Sequence, residues 1–188
     1  MRLLLATRNA HKRREFARLL PGHEVVALAQ GASLPPETGR SFSENALAKA
    51  RAIALATGEP AIADDSGIEA AALGGAPGIF SARFAGEGAD DASNLAKLRR
   101  LAPPGSSLRY VCAIAYADSG PRGERLFEGR CSGVMATDAR GERGFGYDPV
   151  FVPDDHGGRT MAELTNAEKD AISHRGRAAR QLLAWLDS

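Results

Sequence analysis

The chain has 188 residues, 24 Lys and Arg against 23 Asp and Glu, and 44% hydrophobic side chains. Its length suits one large domain, with or without two lobes, and its composition excludes wholesale disorder. No apolar run approaches the roughly 20 residues of a membrane span, two cysteines are too few for a disulfide framework or a four-ligand zinc site, and a net charge of +1 argues against nucleic-acid binding by bulk counterion release.

Short apolar runs alternate with helical patterns. Arg2–Ala6 reads as a strand and breaks into the polar loop Thr7-Arg8-Asn9. Ala10–Leu20 follows as a helix with Phe16, Leu19 and Leu20 on one face, stopped by Pro21-Gly22. Glu24–Leu28 reads as a second strand and Gly31–Arg40 as a loop. Ser41-Phe42-Ser43-Glu44 fits a capping box, opening an alanine-rich helix, Asn45–Thr57, that ends at Gly58. Ala61–Ala63 is a short third strand running into Asp64-Asp65-Ser66-Gly67, and Asp90–Leu101 is a helix. Leu108–Tyr116 and Arg125–Val134 then form a hairpin pattern about a turn at Asp118-Ser119-Gly120-Pro121. Ser173–Leu186 reads as a final helix. The pattern implies an α/β protein with a mixed sheet and flanking helices, a single domain over 1–188 with two lobes around a central cleft.

Four stretches carry chemistry. The first is the strand–loop–helix at the amino terminus, where Thr7–Lys12 would place N–H groups, side-chain donors and the Lys12 ammonium around an anion. Residues 1–20 carry six basic side chains against one acid, Glu15, although on this stretch alone an ordinary helix capped by Asn9 with solvated basic residues is the readier reading. The second is Asp64-Asp65, adjacent carboxylates that repel unless a cation or hydrogen bonds offset them. Mg²⁺ suits such oxygens together with substrate phosphates, whereas an Asx-type turn is the purely structural reading. Glu37, in a loop with no evident structural duty, is the better second metal carboxylate, because a capping role suffices for Glu44.

Third, Gly144-Phe145-Gly146-Tyr147-Asp148-Pro149 sets an aromatic between glycines. Phe145 can stack a base, a contact worth on the order of 1–3 kcal/mol, or fill the core, and Asp148 can accept N–H bonds from that base. Fourth, Lys169, His174 and Arg175 gather cations at the start of the last helix, where the dipole disfavours them unless an anion lies among them. Cys112 and Cys131 read as buried small apolar groups, and His11, His23 and His156 show no metal spacing.

Taken in order, these motifs, with Phe42-Ser43-Glu44-Asn45-Ala46 and the stretch Gly75–Gly86, resemble the inosine/xanthosine triphosphate pyrophosphatases over nearly the whole chain. The resemblance implies a two-lobed mixed α/β fold and a cytoplasmic homodimer that binds neither nucleic acid nor membrane. It implies a Mg²⁺-dependent hydrolase that converts non-standard purine triphosphates (ITP, dITP, XTP) to the monophosphate and pyrophosphate. That activity would keep such nucleotides out of DNA and RNA. By motif position, Asp65 corresponds to the general base and, with Glu37, to the metal carboxylates. Ser66 and the cradle Thr7, Arg8, Asn9, Ala10, His11 and Lys12 correspond to substrate and phosphate contacts. Phe145, Gly146, Tyr147, Asp148, Lys169, His174 and Arg175 correspond to the nucleoside-binding groups. Arg8 stands where many relatives carry glycine.

Overall fold

The computed structural model describes residues 1–29, 31–120, 122–154 and 156–188. Six strands form one mixed sheet in the order β2-β1-β3-β4-β5-β6: β1 Arg2–Leu5, β2 Glu24–Ala27, β3 Ala61–Ala70, β4 Ser107–Ala117, β5 Glu124–Met135 and β6 Phe151–Pro153. β1 runs parallel to β2 and to β3, with Leu5 beside Ile62, whereas β5 and β6 are antiparallel with Val134 beside Val152. Among the described residues five α-helices accompany them: α1 Ala10–Leu19, α2 Phe42–Thr57, α3 Asp91–Leu101, α4 Asn166–Ile172 and α5 His174–Leu186. No helix of the described residues is long and apolar enough to cross a membrane.

The chain divides into two compact units. Unit 1 comprises 1–65, 112–129 and 175–188; unit 2 comprises 66–111 and 130–174. Strands β3, β4 and β5 each contribute residues to both. One face of β4 illustrates the division, for Leu108 and Tyr110 belong to the core of unit 2 and Cys112, Ile114 and Tyr116 to that of unit 1. Val111, Ala113 and Ala115 on the other face are buried too.

In unit 1, Leu3 and Leu5 of β1 pack with Phe16 and Leu19 of α1 and with Ala178, Leu182 and Leu186 of α5. Each fully buried leucine of this kind contributes about 1.5–3 kcal/mol of transfer free energy. Leu4 points to the opposite face, and α2, which contacts β1, buries Ala46, Ala50 and Ile53. Ser41 caps α2 by accepting the Glu44 N–H at 3.1 Å, and Gly58 closes it in the left-handed conformation. The helix therefore starts at Phe42, three residues before the expected Asn45.

In unit 2, Leu98 of α3, Ile68 of β3 and Met135 of β5 share a core with Tyr147, Phe151 and Met161. Its loops are tightened by four 3₁₀ turns, at Ala71–Leu73, Gly78–Arg83, Asp148–Val150 and Met161–Glu163. Two expectations need correction here. β3 does not stop at Ala63 but continues through Asp64-Asp65-Ser66-Gly67 to Ala70, so the aspartates form no Asx turn. In addition, Lys169 does not lie at the start of the last helix. It belongs to the separate helix α4, capped by Thr165 and Glu168 in a reciprocal box. The expected hairpin turn at 118–121 includes Pro121, which lies outside the described residues; beside it, the Asp118 N–H donates to the Gly123 carbonyl at 2.9 Å.

Candidate active site

The chemistry-bearing residues fall into two groups, one in each unit. In unit 1, Asn9 ends the β1–α1 loop and its Oδ1 accepts the His11 and Lys12 N–H groups at 2.8 and 3.2 Å. The first N–H groups of α1, expected to cradle phosphate, are thus bonded within the chain. Asn9 is the helix cap, as the structural reading had it. Thr7 Oγ1 accepts the Asn9 N–H at 3.2 Å, and Arg8, exposed, donates to the Ala32 carbonyl at 3.0 Å. Thr7, Arg8 and Arg13 line a small pocket of about 240 Å³. Ala10 begins the helix, and exposed His11 meets Arg14 at 2.8 Å.

The cap aims Lys12 back at β3, where its Nζ lies 3.0 Å from Asp64 Oδ2. Arg175 grips the same oxygen with Nε and Nη2 at 3.2 and 3.0 Å, while its Nη1 reaches Glu15 Oε2 at 2.5 Å. Asp64 and Arg175 are each 1% exposed. Burial opposes ionisation of Asp64, but the Lys12, Arg175 and Lys49 charges outweigh it and hold this carboxyl well below the usual range. Cys112 Sγ lies 4.0 Å away, and burial followed by the Asp64 charge pushes its thiol up to about 12, which leaves it inert as a nucleophile.

Asp65 points to the other side of the strand. Its Oδ2 accepts the Asn45 amide at 2.9 Å, and its Oδ1 lies 3.7 Å from Lys49 Nζ, which in turn donates to Glu37 Oε1 at 2.7 Å. Burial, with help from Glu37, raises Asp65 despite the opposing Lys49 charge and Asn45 hydrogen bond. Burial also works against the Lys49 ammonium, but Asp65, Asp64 and Glu37 together raise its pKa, so it stays charged. The Glu37 loop is fastened to α2 by the Gly39 N–H, which donates to Asn45 Oδ1 at 2.8 Å. A Cβ on Gly39 would meet that oxygen at 2.6 Å, so only glycine allows the approach. Glu44, by contrast, turns back to the Arg40 N–H at 2.7 Å and serves the helix end.

From the sequence, Asn45 entered only as part of a motif, with no role, and Lys49 was not singled out. Their spacing of four on α2 puts them on one face and was the available signal. Glu15 and its bond to Arg175 span 160 residues and left no local trace. Among the described residues, no group of three or more His, Cys, Asp and Glu forms a metal cage. Mg²⁺ does not need one, because it keeps waters and binds one or two carboxylates plus substrate phosphates. Glu37 and Asp65 already share a cation, the Lys49 ammonium, and their hard oxygens fit such an ion.

In unit 2, Asp148 is 3% exposed. Its Oδ1 accepts the Tyr110 hydroxyl at 3.1 Å, and its Oδ2 accepts the Phe145 N–H at 3.0 Å and Lys169 Nζ at 2.7 Å. A carboxylate has about four acceptor sites, so these three donors leave room for one more. Gly144 has φ +76°, and a Cβ there would lie 2.0 Å from Asp148 Oδ2. Phe145 is half-buried, with Lys169 Nζ 5.1 Å from its ring centre, and Tyr147 is the aromatic that enters the core. The core place thus falls to Tyr147, and Phe145 is not among the buried core residues. His174 stacks on Tyr110 with centroids 4.5 Å apart and planes 6° from parallel. Arg175, expected with these base-binding groups, lies instead on Asp64 and Glu15 of unit 1, one residue further along the chain. Ser66 follows Asp65 in β3 and is partly exposed.

Two basic–acidic clusters on an α/β sheet, one around paired strand aspartates and one beside an aromatic–glycine loop, define a nucleotide-handling protein. The chain belongs to the Ham1 family, whose profile matches residues 3–185. It is 48% identical to a dITP/XTP pyrophosphatase of Mycolicibacterium paratuberculosis over 99% of this chain and 96% of that one. It is likewise 48% identical to a dITP/XTP pyrophosphatase of Frankia alni, covering 99% and 97%. Among solved structures it is similar to a HAM1 protein from Coxiella burnetii, with 40% identity, a TM-score of 0.86 and coverage of 100% and 98%. The Ham1 protein of Staphylococcus aureus is similar at 38% identity and a TM-score of 0.83, with the same coverage.

Proposed function

We propose that the protein hydrolyses non-standard purine nucleoside triphosphates, ITP, dITP and XTP, between the α and β phosphorus atoms, releasing the monophosphate and pyrophosphate. One observation carries the reading beyond the family likeness: adjacent aspartates on β3 face different partners, Asp64 held by Lys12 and Arg175 and Asp65 beside Asn45 and Lys49. Environments that separate the pKa values of neighbouring groups assign them different roles. Asp64, locked as an anion by Lys12 and Arg175, is a structural charge that orients Lys12. Asp65, raised by burial, is poised to take a proton from the attacking water.

Asp65 and Glu37 are the residues that would hold Mg²⁺, with Lys49 giving way or turning to phosphate. When bound, the ion supplies positive charge against the negative charge that develops on the phosphates. The chain's own part is positioning and electrostatics, the main demands of phosphoryl chemistry. Lys12, with Thr7, Arg8 and the start of α1, presents positive charge to the polyphosphate, and Ser66 donates beside Asp65. Phe145 stacks the purine, and the remaining acceptor site of Asp148 takes one N–H from the base. Lys169 and His174 offer donors to a 6-oxo group. An adenine amino group would leave those donors unmatched, a strong means of rejection. On the family likeness we also infer a cytoplasmic homodimer, which light scattering of the purified protein tests.

The deciding experiment is product analysis by ³¹P NMR with ITP and Mg²⁺. IMP plus pyrophosphate is expected, whereas IDP plus phosphate would refute α–β cleavage. Without a divalent cation, turnover should vanish.

A further inference from the structure

The loop Gly144–Asp148 is tied down from outside itself at two points. The Gly146 N–H donates to Asp91 Oδ2 at 2.9 Å, and the Tyr147 hydroxyl donates to the Ser81 carbonyl at 2.7 Å. Asp91 is the first residue of α3, yet its helix does not need it as a cap. Asp90 already fills that role, accepting the Ser93 N–H at 2.8 Å. The Asp91 carboxylate is therefore spent on a loop 55 residues further along the chain. It also lies close enough to Tyr147 to help burial push that phenol up, which keeps the hydroxyl a donor.

The second anchor is itself immobilised. Ser81 Oγ accepts the Ile68 N–H at 2.9 Å and donates to the Gly78 carbonyl at 2.6 Å. A Cβ on Gly67 would lie 2.4 Å from Ser81 Oγ, so β3 approaches this turn as closely as glycine permits. Further along α3, Asn94, 2% exposed, accepts the Ala85 N–H at 2.7 Å and donates to the Ala82 carbonyl at 3.1 Å. One helix thus fixes both the 78–85 segment and, through Asp91, the aromatic–glycine loop. Gly146, at φ +62°, has no side chain with which to hold its own place.

We propose that Asp91 is a positioning residue for purine selection: by fixing the Gly146 amide it sets the angle of the Phe145 ring and the direction of the vacant acceptor site on Asp148. The inference rests on the reading of Phe145–Asp148 as the base-binding groups. Asp91 touches no reacting atom, so its loss acts on substrate affinity and on discrimination between bases, not on the chemical step.

Steady-state kinetics with dITP and dGTP test it in the wild type and in Asp91→Ala, Asp91→Ser and Asp91→Asn. Alanine removes the acceptor, and serine falls short of Gly146 while suiting a first helical turn. Both should raise the KM for dITP about fivefold with kcat within about twofold, and should narrow the dITP-over-dGTP preference, the loss expected of one hydrogen bond to an exposed carboxylate. Asparagine retains an acceptor oxygen and should restore both quantities. Unchanged KM and preference in the alanine and serine variants, a fall in kcat alone, or an asparagine variant as impaired as alanine each overturns the proposal. A wild type that releases no pyrophosphate from dITP overturns the functional reading instead.

Discussion

Both units bury a lysine–aspartate pair at close range, Lys12–Asp64 at 3.0 Å and Lys169–Asp148 at 2.7 Å, but they set them in opposite surroundings. In unit 1 the pair joins a network of ions, with Glu15, Glu37 and Asp65 balanced against Lys49 and Arg175. In unit 2 the pair is wrapped in rings, with Tyr110 bonded to the carboxylate, Phe145 beneath the ammonium and His174 stacked on Tyr110. The first setting is dense in opposed charges, and the proposed function puts phosphate and metal there. The second offers aromatic rings and directional donors, and the proposed function puts the purine there. The same two side chains thus do different work because of what surrounds them.

The sharpest break comes from Asp65→Asn. Loss of the carboxylate proposed as base and metal ligand should lower kcat at least a thousandfold, which is about 4 kcal/mol, while circular dichroism stays native. Because Asp65 is raised, its folded form favours the proton, and any stability it contributes is present at low pH and lost as pH rises through the folded value. Asp65→Asn should therefore melt no lower than wild type at neutral pH. Asp64→Asn should behave in the opposite way. Its depressed carboxyl stabilises above the unfolded value of about 3.9 and loses that contribution as pH falls. Its removal leaves the buried Arg175 and the partly buried Lys12 short of a partner, at a cost of about 3 kcal/mol, and should shrink the acid limb of the wild-type stability profile measured by urea unfolding. Smallest is Phe145→Ala in unit 2, where loss of one stacking face should raise the KM for ITP about tenfold with kcat nearly unchanged. A large fall in kcat there would erase the division between the two regions.

Much of this was legible beforehand. The strand–loop–helix at the amino terminus, the capped α2 and the strands of the expected hairpin all follow from periodicity and cap residues, and the motifs singled out Asp65 and Glu37, which the structure brings to the same lysine. The errors have a common cause. Asp64-Asp65-Ser66-Gly67 has the composition of a turn, but Lys12 and Arg175 compensate the buried charge of Asp64 from far along the chain, so β3 continues. At the start of α1 the sequence left both a cap and an anion cradle open, and Asn9 takes up two of the N–H groups. Arg175 carries a motif position shared with His174, yet a single step of α5 sends the two residues into different surroundings. Thr165 and Glu168 carried a capping signal for α4 that composition alone did not weigh against the cations nearby.

The grip of Arg175 on Asp64 spans 111 residues and its grip on Glu15 spans 160. During synthesis, then, the strand that carries the paired aspartates emerges long before the guanidinium that grips Asp64. A nascent chain lacking α5 holds Asp64 against Lys12 alone, with α1 missing its partner and the Leu182 side of the core still open. Such slow, long-range closure makes competence for turnover a property of the finished polypeptide. A ribosome-stalled or prematurely terminated product would carry the motifs and none of the activity.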